Sequence, residues 1–240
     1  MKLTPMKRWM LPTPILLIAL ACLGAEGPPK PMTTLPLDGF TPLFNGKDIS
    51  GWHWSRTVRH GSVGGFRAED GALTLFQHPY GQGGLLITDK RYKDFELYLE
   101  TDVQSGYNSG IFFRSTESGY AYQIEITGAS ATTDLMVEAI KSLSAQGRTT
   151  RFAELWKPTG WNSVRIRVTG DNPHITCWLN DVQIWEVQVN NAQIAGETDG
   201  YIGLQLHWTS ATGPNGGSMG LGSWKPGGSI HYRNLYLKEL

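Results

Sequence analysis

The chain has 240 residues, 40% of them hydrophobic and 18% charged, with 21 basic against 21 acidic side chains. The length suffices for a single β domain with a full core. The even charge, without a Lys/Arg run, argues against nucleic-acid binding and against a polybasic membrane patch. Glycine, at 29 residues, is well above the usual ~7%, and with 9 Trp, 9 Tyr and 8 Phe it points to many turns between aromatic faces.

Lys2, Lys7 and Arg8 precede the apolar run 15–23, which is followed by small residues and then by Pro28, Pro29 and Pro31. This order reads as a secretory signal peptide over residues 1–25, which implies a secreted or periplasmic protein. The apolar run is nine residues long and follows Pro12 and Pro14, too short for the ~20 residues of a transmembrane span. Leu20-Ala21-Cys22 also reads as an imperfect lipobox, which would place a lipid anchor on Cys22 at the cell envelope. After cleavage at Ala25, Cys177 is the one thiol left; it lies in an alternating segment and reads as a small buried hydrophobe. Residues 26–38 form a Pro-rich linker, and a single domain spans 39–240.

From Gly39 onward, short alternating segments are divided by Gly, Asn and Asp, with no convincing amphipathic helix. Residues 72–76 and 94–103 alternate, the latter with Phe95, Leu97 and Leu99 opposite Glu96, Tyr98 and Glu100. In 108–115 the pattern puts Ile111 and Phe113 inward and Asn108, Gly110, Phe112 and Arg114 outward. In 119–126 it sets Tyr120, Tyr122, Ile124 and Ile126 against Ala121, Gln123 and Glu125. Residues 163–169, 174–179 and 182–189 continue the pattern. Asn180-Asp181 forms a tight hairpin turn, because both residues tolerate positive φ. Residues 201–208 bury Ile202, Leu204 and Leu206 and turn Tyr201, Gly203, Gln205 and His207 the other way. Residues 213–228 hold seven glycines and read as a long loop, a candidate lid. In 230–237 the apolar phase slips, and a bulge near Asn234 restores it. The expected fold class is all-β, a two-sheet β-sandwich of jelly-roll type.

If the outward parities share one sheet face, that face carries a carboxylate, an imidazole, a guanidinium and amides, which are groups for binding sugars and for acid–base work. Trp178 and Trp224 are the tryptophans best suited to stack on a sugar ring. Phosphate-cradle, nucleophile-elbow and zinc-protease motifs are absent, as is the two-carboxylate strand of sandwich glucanases.

An ordered set of stretches carries a family resemblance. It comprises Gly39-Phe40, Leu43-Phe44-Asn45-Gly46-Lys47-Asp48, Gly51-Trp52, Asp94-Phe95-Glu96-Leu97, Asn108-Ser109-Gly110-Ile111-Phe112-Phe113-Arg114 and Gly119-Tyr120 with Gln123-Ile124. It continues with Lys157-Pro158, Gly160-Trp161-Asn162, Trp178-Leu179-Asn180, Gly203-Leu204-Gln205 with His207, and Tyr232-Arg233-Asn234-Leu235. Together they resemble the 3-keto-disaccharide hydrolase family, over roughly 39–240. The resemblance implies a concanavalin A-like lectin/glucanase fold and a secreted or periplasmic enzyme that cleaves glycosides already oxidised at C3. A ketone at C3 acidifies the C2 proton and places the glycosidic oxygen β to the carbonyl, so elimination followed by hydration needs a base, an electrophile and an acid.

In that scheme His207 is the base or a metal ligand, Glu125 its partner or the acid, and Arg114 the enolate stabiliser. Gln123, Gln205 and Asn108 position hydroxyls, and Trp178 and Trp224 stack on the sugar. A divalent metal held by Glu125 and His207 is an alternative electrophile. One position departs from the family pattern: Ala121 stands where an acidic residue is often found. The competing reading is a non-catalytic carbohydrate-binding module on the same sandwich.

Overall fold

The computed structural model describes residues 38–57, 60–61, 64–104, 107–127, 135–137, 149–190, 198–209 and 225–240. The leader with Cys22, the linker up to residue 37, Trp224 and most of the Gly-rich segment therefore lie outside the described residues. No helix among the described residues is long and apolar enough to cross a membrane.

Two antiparallel sheets face one another. The larger runs, in hydrogen-bonded order, β12 (Val182–Gln188), β11 (His174–Leu179), β10 (Asn162–Thr169), β6 (Phe95–Asp102), β14 (Ser229–Glu239), β4 (Ala72–Phe76) and β3 (Gly65–Glu69), with β1 (Thr41–Pro42) also paired to β14. The smaller runs β2 (Trp52–Trp54), β5 (Gly84–Tyr92), β13 (Gly200–Leu206), β7 (Asn108–Ser115), β8 (Tyr122–Thr127) and β9 (Leu135–Val137). This is the expected jelly-roll sandwich. The one helix among the described residues, α1 (Phe152–Leu155), is a single turn.

Period-two alternation explains how the layers close. Val164, Ile166 and Val168 of β10 lie opposite Leu99, Leu97 and Phe95 of β6, and all six are fully buried between the sheets. Each such aliphatic side chain contributes about 1.5–3 kcal/mol by leaving water. Cys177 sits in this core as a free thiol, and burial raises its pKa well above the ordinary thiol range. The alternate positions lie on the outer face and pair across strands: Arg165 Nη2 reaches Glu96 Oε2 at 2.9 Å, and Arg233 Nε reaches Glu100 Oε2 at 2.7 Å.

The turns are where the sequence pattern indicates them. Asn180 and Asp181 adopt φ of 48° and 66° between β11 and β12. Asn180 also donates through Nδ2 to Leu155 O and Asn162 Oδ1 and accepts from Ser163 N, while Asn162 Oδ1 accepts from Lys157 N. These two asparagines anchor the segment after α1 to the sheet, so the Lys157-to-Asn162 and Trp178-Leu179-Asn180 stretches serve the fold. In β14, Asn234 has φ of 51° and the register shifts between Arg233 and Tyr236, which returns both Tyr232 and Leu235 to the core.

One strand departs from simple alternation. Phe112 pairs with Gly203 but Ser115 pairs with Tyr201, so β7 carries an extra residue, and Arg114 there has φ of 47°. The bulge turns Arg114 away from the outer face expected of it and into a buried clasp. Its guanidinium donates to Lys93 O at 2.9 Å, Gly170 O at 2.8 Å and Asp94 Oδ1 at 3.1 Å. Burial lowers its pKa, with Asp94 acting in the opposite direction. The clasp ties the β5–β6 turn to the β10–β11 turn. Arg114→Met removes this donor from all three acceptors, leaving Asp94 with the Gly170 N–H, and should cost about 3 kcal/mol, read as a fall in Tm of roughly 6–12 °C in thermal unfolding.

Candidate functional site

The outer face of the smaller sheet gathers the polar residues that face away from the core. Because Ile202, Leu204 and Leu206 are buried inward, β13 presents Tyr201, Gly203 and Gln205 outward. Pairing sets Gln205 beside Gly110 and Gly110 beside Glu125, while Gly203, Phe112 and Gln123 form the adjacent row. Gln123, Gln205 and Asn108 are each at most 4% exposed, and Glu125 is half-buried. His207 follows directly after β13 and is partly exposed.

A directed chain of hydrogen bonds orders these amides. His60 Nε2 lies 3.2 Å from Gly119 O, and a carbonyl only accepts, so Nε2 carries the proton and Nδ1 accepts. Gln205 Nε2 then donates to His60 Nδ1 at 3.4 Å, and Gln205 Oε1 accepts from Gln123 Nε2 at 3.1 Å. This leaves Gln123 Oε1 without a partner among the described residues. Asn108 Nδ2 donates to Glu125 Oε1 at 2.9 Å, leaving Asn108 Oδ1 in the same condition. Each orphaned acceptor costs about 1–3 kcal/mol, which a hydroxyl donor would recover. The chain exists because Gly110 has no side chain: a Cβ there would meet Gln123 Nε2 at 2.2 Å.

His207 is oriented by its own neighbour. Its Nδ1 lies 2.6 Å from Trp208 O, so Nδ1 is the donor and in the neutral ring Nε2 bears the lone pair. Gln77 fixes the backbone here, donating through Nε2 to His207 O and to Thr209 Oγ1, both at 2.9 Å. Glu125 is the single carboxylate at the outward positions of β13, β7 and β8. Ala121, the position that departs from the family pattern, is fully buried with Leu85, Ile87 and Phe112 in an apolar patch on this same face. Glu125 and His207 do not belong to any group of three or more His, Cys, Asp or Glu side chains placed to hold a metal among the described residues.

At the far edge of the face, His53 lies between two carboxylates, with Nδ1 2.6 Å from Asp89 Oδ1 and Nε2 3.1 Å from Glu117 Oε2. Glu117 also accepts from Arg56 N at 2.7 Å. Partial burial would raise the Glu117 pKa, but the Arg56 N–H and His53 prevail and hold it below the ordinary carboxylate range.

The sheet thus brings together Gln123, Gln205, Asn108 and Glu125, with His207 at the end of the same strand. Two expected members are corrected. Arg114 is the buried clasp described above, removed from the face by its bulge. Trp178 lies on the outer face of the larger sheet, where the Arg165 guanidinium stacks 4.6 Å from its ring, so it belongs to the opposite side of the sandwich. Trp224 lies outside the described residues. His60 was not indicated by the sequence pattern: it sits in a glycine-flanked loop with no periodicity, and only the fold carries it over Phe112, at 5.1 Å between ring centroids.

Two outcomes follow from this geometry. Gly110→Ala should displace the Gln123 amide, break its bond to Gln205 and lower stability by about 1–3 kcal/mol in urea unfolding. The Glu117 pairing contributes stability above about pH 4.5 that is lost as pH falls through the lower folded-state pKa. Glu117→Gln should therefore flatten the pH dependence of stability on the acid side of pH 4.5, in urea unfolding followed from pH 3 to 7.

A family model described as a 3-keto-alpha-glucoside-1,2-lyase-like domain matches residues 39–238. A Bacteroides thetaiotaomicron protein named 3-keto-disaccharide hydrolase is 34% identical over 95 residues, and the match covers 33% of this chain and only 29% of that relative's length. Among solved structures, a Parabacteroides distasonis protein described as a candidate glycosyl hydrolase superposes with a TM-score of 0.58 at 18% identity, over 85% of this chain and 94% of its own. LamAcat from Zobellia galactanivorans reaches a TM-score of 0.50 at 11% identity, over 78% of this chain and 90% of its own. At such identities the structural likeness is one of fold. The family match spans both sheets and every residue of the amide face, and the chain belongs to the family of 3-keto-alpha-glucoside-1,2-lyase-like domains.

Proposed function

We propose that the protein cleaves 3-keto-glycosides by elimination across C1 and C2, with His207 as the base. The observation that carries this reading is the tautomer of His207, fixed by Trp208 O so that Nε2 bears the lone pair at the end of an uncharged amide row. Family membership supplies the substrate class, a glucoside oxidised at C3.

His207 Nε2 takes the C2 proton, and the electron pair delocalises onto O3 as an enolate. The C1–O bond then breaks, C1=C2 forms, and the imidazolium returns the proton to the departing oxygen. The product is an enone that keeps the C2 hydroxyl. Addition of water across C1=C2 converts it to 3-ketoglucose, so a lyase and a hydrolase outcome share one intermediate.

Each amide nitrogen of Gln123, Gln205 and Asn108 keeps a second hydrogen beyond those used in the chain, and such donors suit the enolate oxygen in place of Arg114. The orphaned Gln123 Oε1 and Asn108 Oδ1 accept from sugar hydroxyls. A conventional glycosidase needs two carboxyls about 5–10 Å apart across the scissile bond, whereas the outward positions of β13, β7 and β8 offer Glu125 alone. The leader-like residues 1–25 support an extracytoplasmic setting for the reaction.

The test is incubation with 3-keto-trehalose and methyl 3-keto-α-glucoside, protonated or deuterated at C2, beside the unoxidised sugars. The expected result is a UV-absorbing enone or 3-ketoglucose from the oxidised sugars alone, with loss of the C2 deuterium and a primary isotope effect. His207→Ala should lower the rate by about 10²–10⁴. Retention of C2 deuterium in the product contradicts elimination, and binding with no product from any sugar assigns the face to carbohydrate recognition.

A further inference from the structure

We propose that Tyr80 and Trp208 form a stacking platform for the leaving group of the glycoside, a neutral sugar ring or similar flat aglycone. The proposal rests on the carbohydrate reading of the amide face and extends it to the other half of the substrate.

Three of the seven described tryptophans, Trp52, Trp156 and Trp185, are at most 7% exposed, while Trp54 at the β2 edge is 46% exposed. Trp208 is 40% exposed and Tyr80 38%, although each sits beside a rigidly held backbone. Thr209 N donates to Gly81 O at 2.9 Å, so the residues next to Trp208 and Tyr80 are hydrogen-bonded to each other. The buried side chain of Gln77 joins the same two segments. Its Nε2 donates to His207 O and Thr209 Oγ1, and its Oε1 accepts from Gly81 N at 3.0 Å. One buried amide therefore holds the backbone next to Tyr80 and the backbone on both sides of Trp208.

The chemistry of the platform selects its ligand. Residues 77–83 and 205–209 contain no Lys, Arg, Asp or Glu, so neither segment presents a fixed charge. Aromatic faces carry negative electrostatic potential and attract the weakly positive C–H faces of sugar rings or the edges of another aromatic group. Gln205 is on the outer side of β13, and just past the strand's end come His207 and Trp208, whose rings stack with centroids 5.6 Å apart. If the oxidised ring occupies the amide row and His207 stands at C2, the group leaving from C1 extends toward Trp208 and Tyr80.

The experiment compares kcat/KM for 3-keto-trehalose with that for methyl 3-keto-α-glucoside, whose leaving group is too small to stack. In Trp208→Ala and in Tyr80→Ala, the ratio of the two should fall about tenfold, mainly through KM; Trp208→Phe should restore most of it. An unchanged ratio in both alanine variants overturns the platform. If the wild type turns over neither sugar, the elimination reading has failed and the platform is tested by calorimetry with trehalose and methyl α-glucoside. Tighter binding of trehalose that is lost in Trp208→Ala upholds it. Equal affinities, no binding, or an advantage that survives the substitution overturn it.

Discussion

The structure depends on a single constraint in β13. Ile202, Leu204 and Leu206 must be buried, because they fill the space between the sheets, and period-two geometry then commits Gln205 to the opposite face. A slip of one residue would place that amide in the core and three aliphatic side chains in solvent. The register is secured from inside as well: Ser109 Oγ donates to Gln205 O at 2.5 Å and meets the hydroxyl of Tyr232, which comes from the larger sheet. Burial pushes the Tyr232 pKa up to about 12, so the phenol stays neutral and serves as the donor to Ser109. The backbone that carries the site is thereby bonded to both layers of the sandwich.

Charge is distributed unequally over the two outer faces. The larger sheet carries Arg165, Arg167 and Glu96 in one group and Arg233 with Glu100 in another, and its arginines stack on Trp178 and Trp161. On the smaller sheet, β13, β7 and β8 place amides, glycines and apolar side chains around one carboxylate. A neutral imidazole keeps its lone pair more readily away from a cluster of carboxylates, which would favour the protonated ring. On the smaller sheet the carboxylates that do meet a histidine, Asp89 and Glu117, are at the β2 edge and hold the neighbouring loops together. Formal charge on this protein is mainly structural, and the candidate chemistry is assigned to oriented neutral groups.

Much of the fold was legible because it rests on local pattern. The alternation in β6, β10 and β13, the positive-φ hairpin at Asn180-Asp181, the phase slip cured at Asn234 and the burial of Cys177 each follow from a few adjacent residues. The same rule located Gln123, Glu125, Asn108 and Gln205 on outward parities. It failed at Arg114 because a bulge at positive φ reverses parity, and nothing in the run NSGIFFRS marks the extra residue. It failed at Trp178 because alternation says which face of its own sheet a residue takes, but not which sheet the strand joins.

The amino-acid sequence by itself determined the β class, the inward and outward sides of the main strands and, through its ordered stretches, the family. Only the tertiary structure decided which outward residues share a face, because strand order is set by pairings between segments far apart in the chain, such as Thr41 of β1 with Leu237 of β14, 196 residues apart. Tertiary structure also supplied His60 and Gln77, the first orienting the amide row and the second bracing the backbone at His207. Both act from loops, where no periodicity records direction, and their roles arise from contacts that exist only once the sheets have packed.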